Sequence, residues 1–138
     1  RQVADTMCIA QGKRLCTIQE WKTAVEGYRG WSYPYGPAYD STKCKTDTIA
    51  YRAFANEVGT NDSCISPFGI YDLSGNVAEW VRFDRTQRFT YDGNTGEVVS
   101  YFIGGAWYNK NISGTNSLNS TLWPYAEDIG FRCCKNAQ

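Results

Sequence analysis

Six cysteines and no histidine limit the chemistry available to this 138-residue chain. Cys8, Cys16, Cys44, Cys64, Cys133 and Cys134 are scattered, with no CxxC pair among them. Zinc sites use paired CxxC or mixed Cys/His spacings, so disulfides are the better reading. Spacing alone leaves their pairing open. Disulfides persist in oxidising compartments, which predicts an extracellular, periplasmic or cell-surface setting. Without histidine no Ser–His or Cys–His dyad can form. Glu127 and Asp128 are adjacent, and neighbours on an extended chain point apart, so they read as solvated surface rather than an acid–base pair.

Two groups of residues remain that can do chemistry. Asp72 and Glu79 flank a Ser74-Gly75-Asn76 turn, and two such carboxylates can converge with backbone carbonyls on a hard cation. The alternative is that Asp72 caps the turn and Glu79 pairs with an arginine. The second group is the segment 107–128, which mixes Trp107, Tyr108, Trp123 and Tyr125 with Asn109, Asn111, Asn116 and Asn119. Rigid amphipathic rings among small hydrogen-bonding residues are the material of recognition surfaces. Ring faces stack on sugars, and asparagine offers both a donor and an acceptor to hydroxyls. The blander reading packs Trp107 in the core and uses the asparagines for turns.

The elements that must position these groups are short. Val3, Met7 and Ala10 have helical spacing, with Gly12 as a stop, and predict a first helix over 3–11 with those residues inward. A second helix starts at Thr17 with Glu20 completing a capping box, faces Trp21, Ala24 and Val25 inward, and ends at Gly27. Residues 28–67 read mainly as loop, with one helical turn over 49–56. Ile70–Tyr71 and Val77–Val81 read as strands around the Ser-Gly-Asn turn. Segments 89–91 and 97–102 flank Asp92-Gly93-Asn94-Thr95-Gly96, a hairpin signal. Ile129–Cys134 reads as one last strand.

Lysine plus arginine equals aspartate plus glutamate, 14 of each, so the formal net charge is zero. A nucleic-acid partner requires a basic face and is not expected. Nor is membrane insertion, because no stretch approaches the roughly 18 apolar residues of a spanning helix. The chain reads as a single domain, 1–138, and its start at Arg1 without an evident signal suggests the C-terminal part of a larger protein.

Five motifs sharpen the reading. Gly12-Lys13-Arg14-Leu15-Cys16-Thr17-Ile18-Gln19-Glu20-Trp21 is followed by Tyr33-Pro34-Tyr35-Gly36 and by Phe68-Gly69-Ile70-Tyr71-Asp72-Leu73-Ser74-Gly75-Asn76-Val77-Ala78-Glu79-Trp80. Gly104-Gly105-Ala106-Trp107 and Gly130-Phe131-Arg132-Cys133 complete the series. In content and order they resemble the formylglycine-generating enzyme (sulfatase-modifying factor) family. The resemblance implies an α+β, C-type-lectin-like fold with two helices, short strands and long disulfide-tied loops. It also implies a Cys8–Cys133 disulfide, with Cys16–Cys134 and Cys44–Cys64 as the simplest remainder. The last would close a loop of about twenty residues, worth about 3 kcal/mol.

For function the resemblance implies both a site and a loss. The family's structural calcium maps onto the Asp72 side chain, the Gly75 and Val77 carbonyls and the Glu79 carboxylate. Its enzymes oxidise a target cysteine with copper held by two cysteines between the GGSW and GFRC motifs, and residues 108–128 contain none. Copper(I) requires soft thiolates, so no copper is expected here. An iron-dependent branch of the fold needs histidines, also absent. The resulting expectation is a non-enzymatic recognition module of adhesin or fibre-tip type, oligomeric where it is built into a fibre. It would bind a glycan or cell-surface protein through Tyr108, Asn109, Asn111, Asn116, Asn119, Trp123 and Tyr125. The alternatives are a retroelement-diversified ligand-binding protein on the same fold, a structural assembly module and, disfavoured, an oxidase.

Overall fold

Thr17 begins the most clearly specified element. Its hydroxyl accepts from the Glu20 backbone N–H at 3.1 Å, and the Glu20 carboxylate accepts from the Thr17 N–H at 2.9 Å, the reciprocal capping box. The structure, a computed structural model, describes residues 2–47, 54–82, 101–111, 113, 119–120 and 127–136, the side chains of 119 and 120 excepted. Helix α1 spans Gln2–Ala10 and α2 spans Ile18–Glu26, followed by a 3-10 turn at Gly27–Arg29. Strands β1 (Arg14–Leu15), β2 (Ala78–Val81), β3 (Tyr101–Ile103), β4 (Asn119–Ser120), β5 (Ile129–Phe131) and β6 (Cys133–Cys134) complete the order.

One sheet has the order β4-β3-β2-β5, antiparallel except for the β2–β5 pair. A separate ribbon joins β1 to β6, with Arg14 opposite Cys134 and Leu15 opposite Cys133. All four residues of β2 are buried because both faces of that strand are covered. Side chains alternate along a strand. Trp80 therefore joins Ala4, Cys8 and Leu15 in one core cluster, while Val81 joins Ile18, Trp21, Val25, Leu73 and Ile103 in another. The α+β architecture with two helices and long loops is as expected.

Three disulfides staple this arrangement: Cys8–Cys133, Cys16–Cys134 and Cys44–Cys64. The first two anchor the N-terminal helix and ribbon to the end of the chain. The third closes the loop between residues 44 and 64.

Several sequence expectations need correction. Val3 and Met7 are 61% and 49% exposed and Ala10 is exposed, whereas Ala4 and Cys8 are buried. The Cys8–Cys133 bond draws the neighbouring face of α1 inward, so the helix is rotated by one residue from the apolar pattern. Ile70–Tyr71 is no strand; Tyr71 makes a single bridge to Ile65. The last strand is two, because β5 pairs with β2 and β6 with β1 on either side of Arg132. Residues 54–56 of the expected helical turn are not helical, and the rest of that turn lies outside the described residues. So does the 89–100 part of the expected hairpin, while 101–102 fall in β3. No helix among the described residues is long and apolar enough to cross a membrane.

Candidate functional site

The turn between Leu73 and β2 is the hub from which the site is built. Gly75 has φ 75°, and a Cβ there would stand 2.2 Å from the Lys45 carbonyl oxygen, so only glycine fits. Its N–H donates to the Gly104 carbonyl at 2.8 Å. Asn76, also left-handed at φ 60°, exchanges side-chain bonds with the Asn56 backbone, accepting at 2.7 Å and donating at 3.2 Å. Its N–H donates to the Lys45 carbonyl at 2.9 Å, and its own carbonyl accepts from the Trp107 N–H at 3.0 Å. One buried asparagine thus ties together residues 45, 56 and 107.

The four expected calcium ligands lie on this turn, and their carboxylates already have partners. Asp72 accepts from the Gly59 N–H at 2.8 Å through Oδ2. Glu79 Oε2 accepts from the Trp21 indole Nε1 at 2.8 Å and from Arg132 Nε at 2.9 Å, and its Oε1 accepts from Arg132 Nη2 at 2.6 Å. Arg132 Nη2 also donates to the Tyr71 carbonyl at 3.0 Å. Burial works against the charge on this guanidinium, but the bonds to Glu79 and the field of Asp72 outweigh it and raise its pKa. Among the described residues no three His, Cys, Asp or Glu side chains gather as a metal site. A calcium ion needs about six to eight oxygens, so Glu79 would first have to leave Arg132. In this arrangement the Arg132 guanidinium neutralises the Glu79 carboxylate.

The start of the 107–128 segment is held at several points. Trp107 and Tyr108 meet edge to face at 5.6 Å, and Tyr108 is 49% exposed. The Tyr108 hydroxyl donates to Asp128 Oδ2, which joins the two ends of the segment. That bond, with burial behind it, pushes the phenol up to about 12. Asn109 closes a turn, its Oδ1 accepting from the Ala106 N–H at 2.7 Å and its N–H donating to the Ala106 carbonyl at 3.0 Å. Its carbonyl accepts from the Asp47 N–H at 2.9 Å, while Lys110 pairs with the Asp47 carboxylate at 3.3 Å. Asn111, left-handed at φ 52°, accepts from the Tyr33 hydroxyl at 2.6 Å.

Of the expected ligand-binding residues, then, Tyr108, Asn109 and Asn111 come together at the neck of the segment. Asn109 and Asn111 shape the backbone there, as turn-forming asparagines do. Asn119 is placed only as a backbone position of β4, opposite Phe102. Asn116, Trp123 and Tyr125 lie outside the described residues. Trp107 is half-buried and belongs to neither core cluster. Asp128, which reads in the sequence as solvated surface beside Glu127, is half-buried and accepts from Tyr108; Asp47 carries no sequence signal, and Tyr33 only that of the YPYG motif. All six cysteines are in disulfides, so no thiolate remains.

Comparison with known proteins agrees with this anatomy. The sulfatase-modifying factor enzyme 1-like domain matches residues 3–137. The mouse protein "Inactive C-alpha-formylglycine-generating enzyme 2" is 26% identical over 153 residues, which cover 97% of this chain and 46% of the mouse protein. Among solved structures, CarF superposes with a TM-score of 0.67 at 26% identity, covering 88% of this chain and 46% of its own. Treponema denticola variable protein 1 superposes with a TM-score of 0.67 at 22% identity, covering 86% and 46%, a likeness of fold alone. The chain spans about half the length of these relatives. With the domain matched from residue 3 to residue 137, the protein belongs to the family of sulfatase-modifying factor enzyme 1-like domains.

Proposed function

We propose that this domain is a non-enzymatic recognition module that displays the 107–128 segment to a glycan or a cell-surface protein. The observation that carries the reading is the state of the cysteines. All six are joined in disulfides and none lies in 107–128, so the chain offers no thiolate to copper(I). The mouse relative named inactive is in keeping with this.

The second support is the way the segment is mounted. Its ends are joined by Tyr108 and Asp128, and its start is tied to Asp47 and Tyr33. A firmly mounted neck presents a variable surface without disturbing the core, the arrangement on which recognition loops depend. On this reading the aromatic rings Trp123 and Tyr125, with Asn116 and Asn119, supply contacts to the partner. The disulfides point to an extracellular, periplasmic or surface location. Weak single-site binding would be strengthened where several copies are carried on a fibre.

An oxygen-electrode assay with added copper and a cysteine-containing peptide tests the absence of catalysis. We expect no copper-dependent oxygen consumption; uptake above the peptide blank would reinstate an oxidase. A screen of the purified domain against a glycan array and surface proteins is expected to give a specific partner. A blank screen combined with a symmetric oligomer on a sizing column would favour an assembly role instead.

A further inference from the structure

The tyrosine-rich turn before Cys44 holds a cleft whose lining residues all fall within 35–43. Tyr33 is buried, lies parallel to Tyr35 with centroids 5.5 Å apart, and packs at 51° on Tyr39 at 5.7 Å. Paired backbone bonds between Tyr33 and Gly36, at 3.1 and 3.2 Å, close the turn. The hydroxyls of Tyr39 and Thr46 are bonded at 2.9 Å. The rings are therefore fixed before any ligand arrives, and a fixed site loses little entropy on binding.

Beyond this stack an open cleft of about 520 Å³ is lined by Tyr35, Pro37, Tyr39, Asp40, Ser41 and Lys43. Small-ligand sites are typically about 300–1,000 Å³. The lining mixes aromatic and apolar side chains with a carboxylate, a hydroxyl and an ammonium group. Asp40 Oδ1 accepts from the Thr42 hydroxyl at 2.6 Å and the Thr42 N–H at 2.9 Å, which lowers the pKa of the carboxyl. Its Oδ2 has no hydrogen-bond partner among the described residues, and the Lys43 ammonium acts on the carboxylate electrostatically. The Tyr35 hydroxyl accepts from the Asp40 N–H at 3.2 Å, so its own proton is available to donate.

A ligand for this cleft needs one flat C–H face for the rings and hydroxyls for the polar side chains. Asp40 and Lys43 carry opposite charges, so the lining has no net charge to favour an ion of either sign. A tyrosine side chain offers a ring face with one hydroxyl, whereas a pyranose offers a C–H face with several hydroxyls around it. We propose that the cleft formed by residues 35–43 binds a neutral pyranose ring, stacked against Tyr35 and Tyr39 with its hydroxyls on Asp40. Tyr33 behind the stack donates to Asn111 of the 107–128 segment, but the lining residues 35–43 belong to a different stretch of chain, so variants in the two places test the two readings separately.

Saturation-transfer NMR on the whole chain tests this, with methyl α-mannopyranoside, methyl β-galactopyranoside and methyl N-acetyl-β-glucosaminide as probes. At least one is expected to receive saturation, strongest on the protons of one ring face. Asp40→Asn should weaken binding about tenfold, as for loss of a charged hydrogen-bond acceptor, while the spectrum stays folded. Lys43→Ala, at an exposed side chain, gives a second reading if Asp40→Asn does not fold. Trp123→Ala should leave the signal intact. Absence of transfer to all three sugars overturns the proposal, as does a signal unchanged in both cleft variants. A signal lost only in Trp123→Ala would place the sugar on the 107–128 segment, ending this proposal and sparing the recognition reading.

Discussion

Arg132 clasps Glu79 with two nitrogens, Nε at 2.9 Å and Nη2 at 2.6 Å, across 53 residues of sequence. Trp21 from α2 adds its indole N–H to the same carboxylate at 2.8 Å. The contact locks α2, β2 and the chain's end together where the family resemblance would place a cation.

Breaking one side of this pair should be costly. Glu79 is 8% and Arg132 23% exposed, so Arg132→Met leaves a buried carboxylate held by Trp21 alone. We expect a loss of about 3 kcal/mol in urea unfolding, since removal of one partner of a buried pair costs about 3–5 kcal/mol. A loss below about 1 kcal/mol would mean that water reaches Glu79 freely.

Calcium provides an independent check on the same turn. A ligand at about 100 times its Kd stabilises the fold it binds by about 2.7 kcal/mol. With Arg132 on Glu79, we expect the melting temperatures in excess calcium and in excess EDTA to coincide. A rise with calcium would show that Glu79 exchanges Arg132 for the ion.

Glycine at position 75 should tolerate nothing larger. Gly75→Ala combines left-handed strain of about 1–2 kcal/mol with a 2.2 Å approach to the Lys45 carbonyl that overpacks the turn by about 1–3 kcal/mol. We expect about 3 kcal/mol lost or no folded protein. Gly12→Ala has a similar φ of 66° but meets nothing within 4 Å, and should lose only the strain, about 1 kcal/mol. Equal losses at the two sites would refute the steric argument.

Acid should weaken the capping box. The bidentate bond from Arg14, followed by the Thr17 N–H and hydroxyl, holds Glu20 at about 2 instead of 4.5, against a smaller opposing effect of burial. A lowered folded pKa means the stabilisation is present above about pH 4.5 and lost as pH falls towards 2. Glu20 is 38% exposed, so after solvent screening we expect about 1 kcal/mol. Subtracting the pH profile of Glu20→Gln from that of the native chain isolates the effect; identical profiles would contradict it.

What could be read in advance was local or carried by motif. The Thr17–Glu20 box spans three residues and needs nothing from the rest of the chain. The disulfide pairing came through the resemblance, not through spacing. The inward face of α1 was misread because Val3 and Met7 have the same four-residue separation as Ala4 and Cys8, and the choice depends on a bond to Cys133, 125 residues away. The Glu79–Arg132 pair was one of two weighed alternatives, and sequence could not say which arginine. Tyr108–Asp128 and Tyr33–Asn111 depend on how distant loops meet, which no local pattern encodes.

Recognition through the 107–128 segment is open to direct measurement. It is tested most directly by glycan-array and cell-surface binding of the native chain beside Trp123→Ala and Tyr125→Ala, with a melting temperature for each. We expect a specific signal lost in at least one variant whose melting temperature matches the native chain. Binding that persists in both variants, or falls only in step with melting temperature, would contradict it.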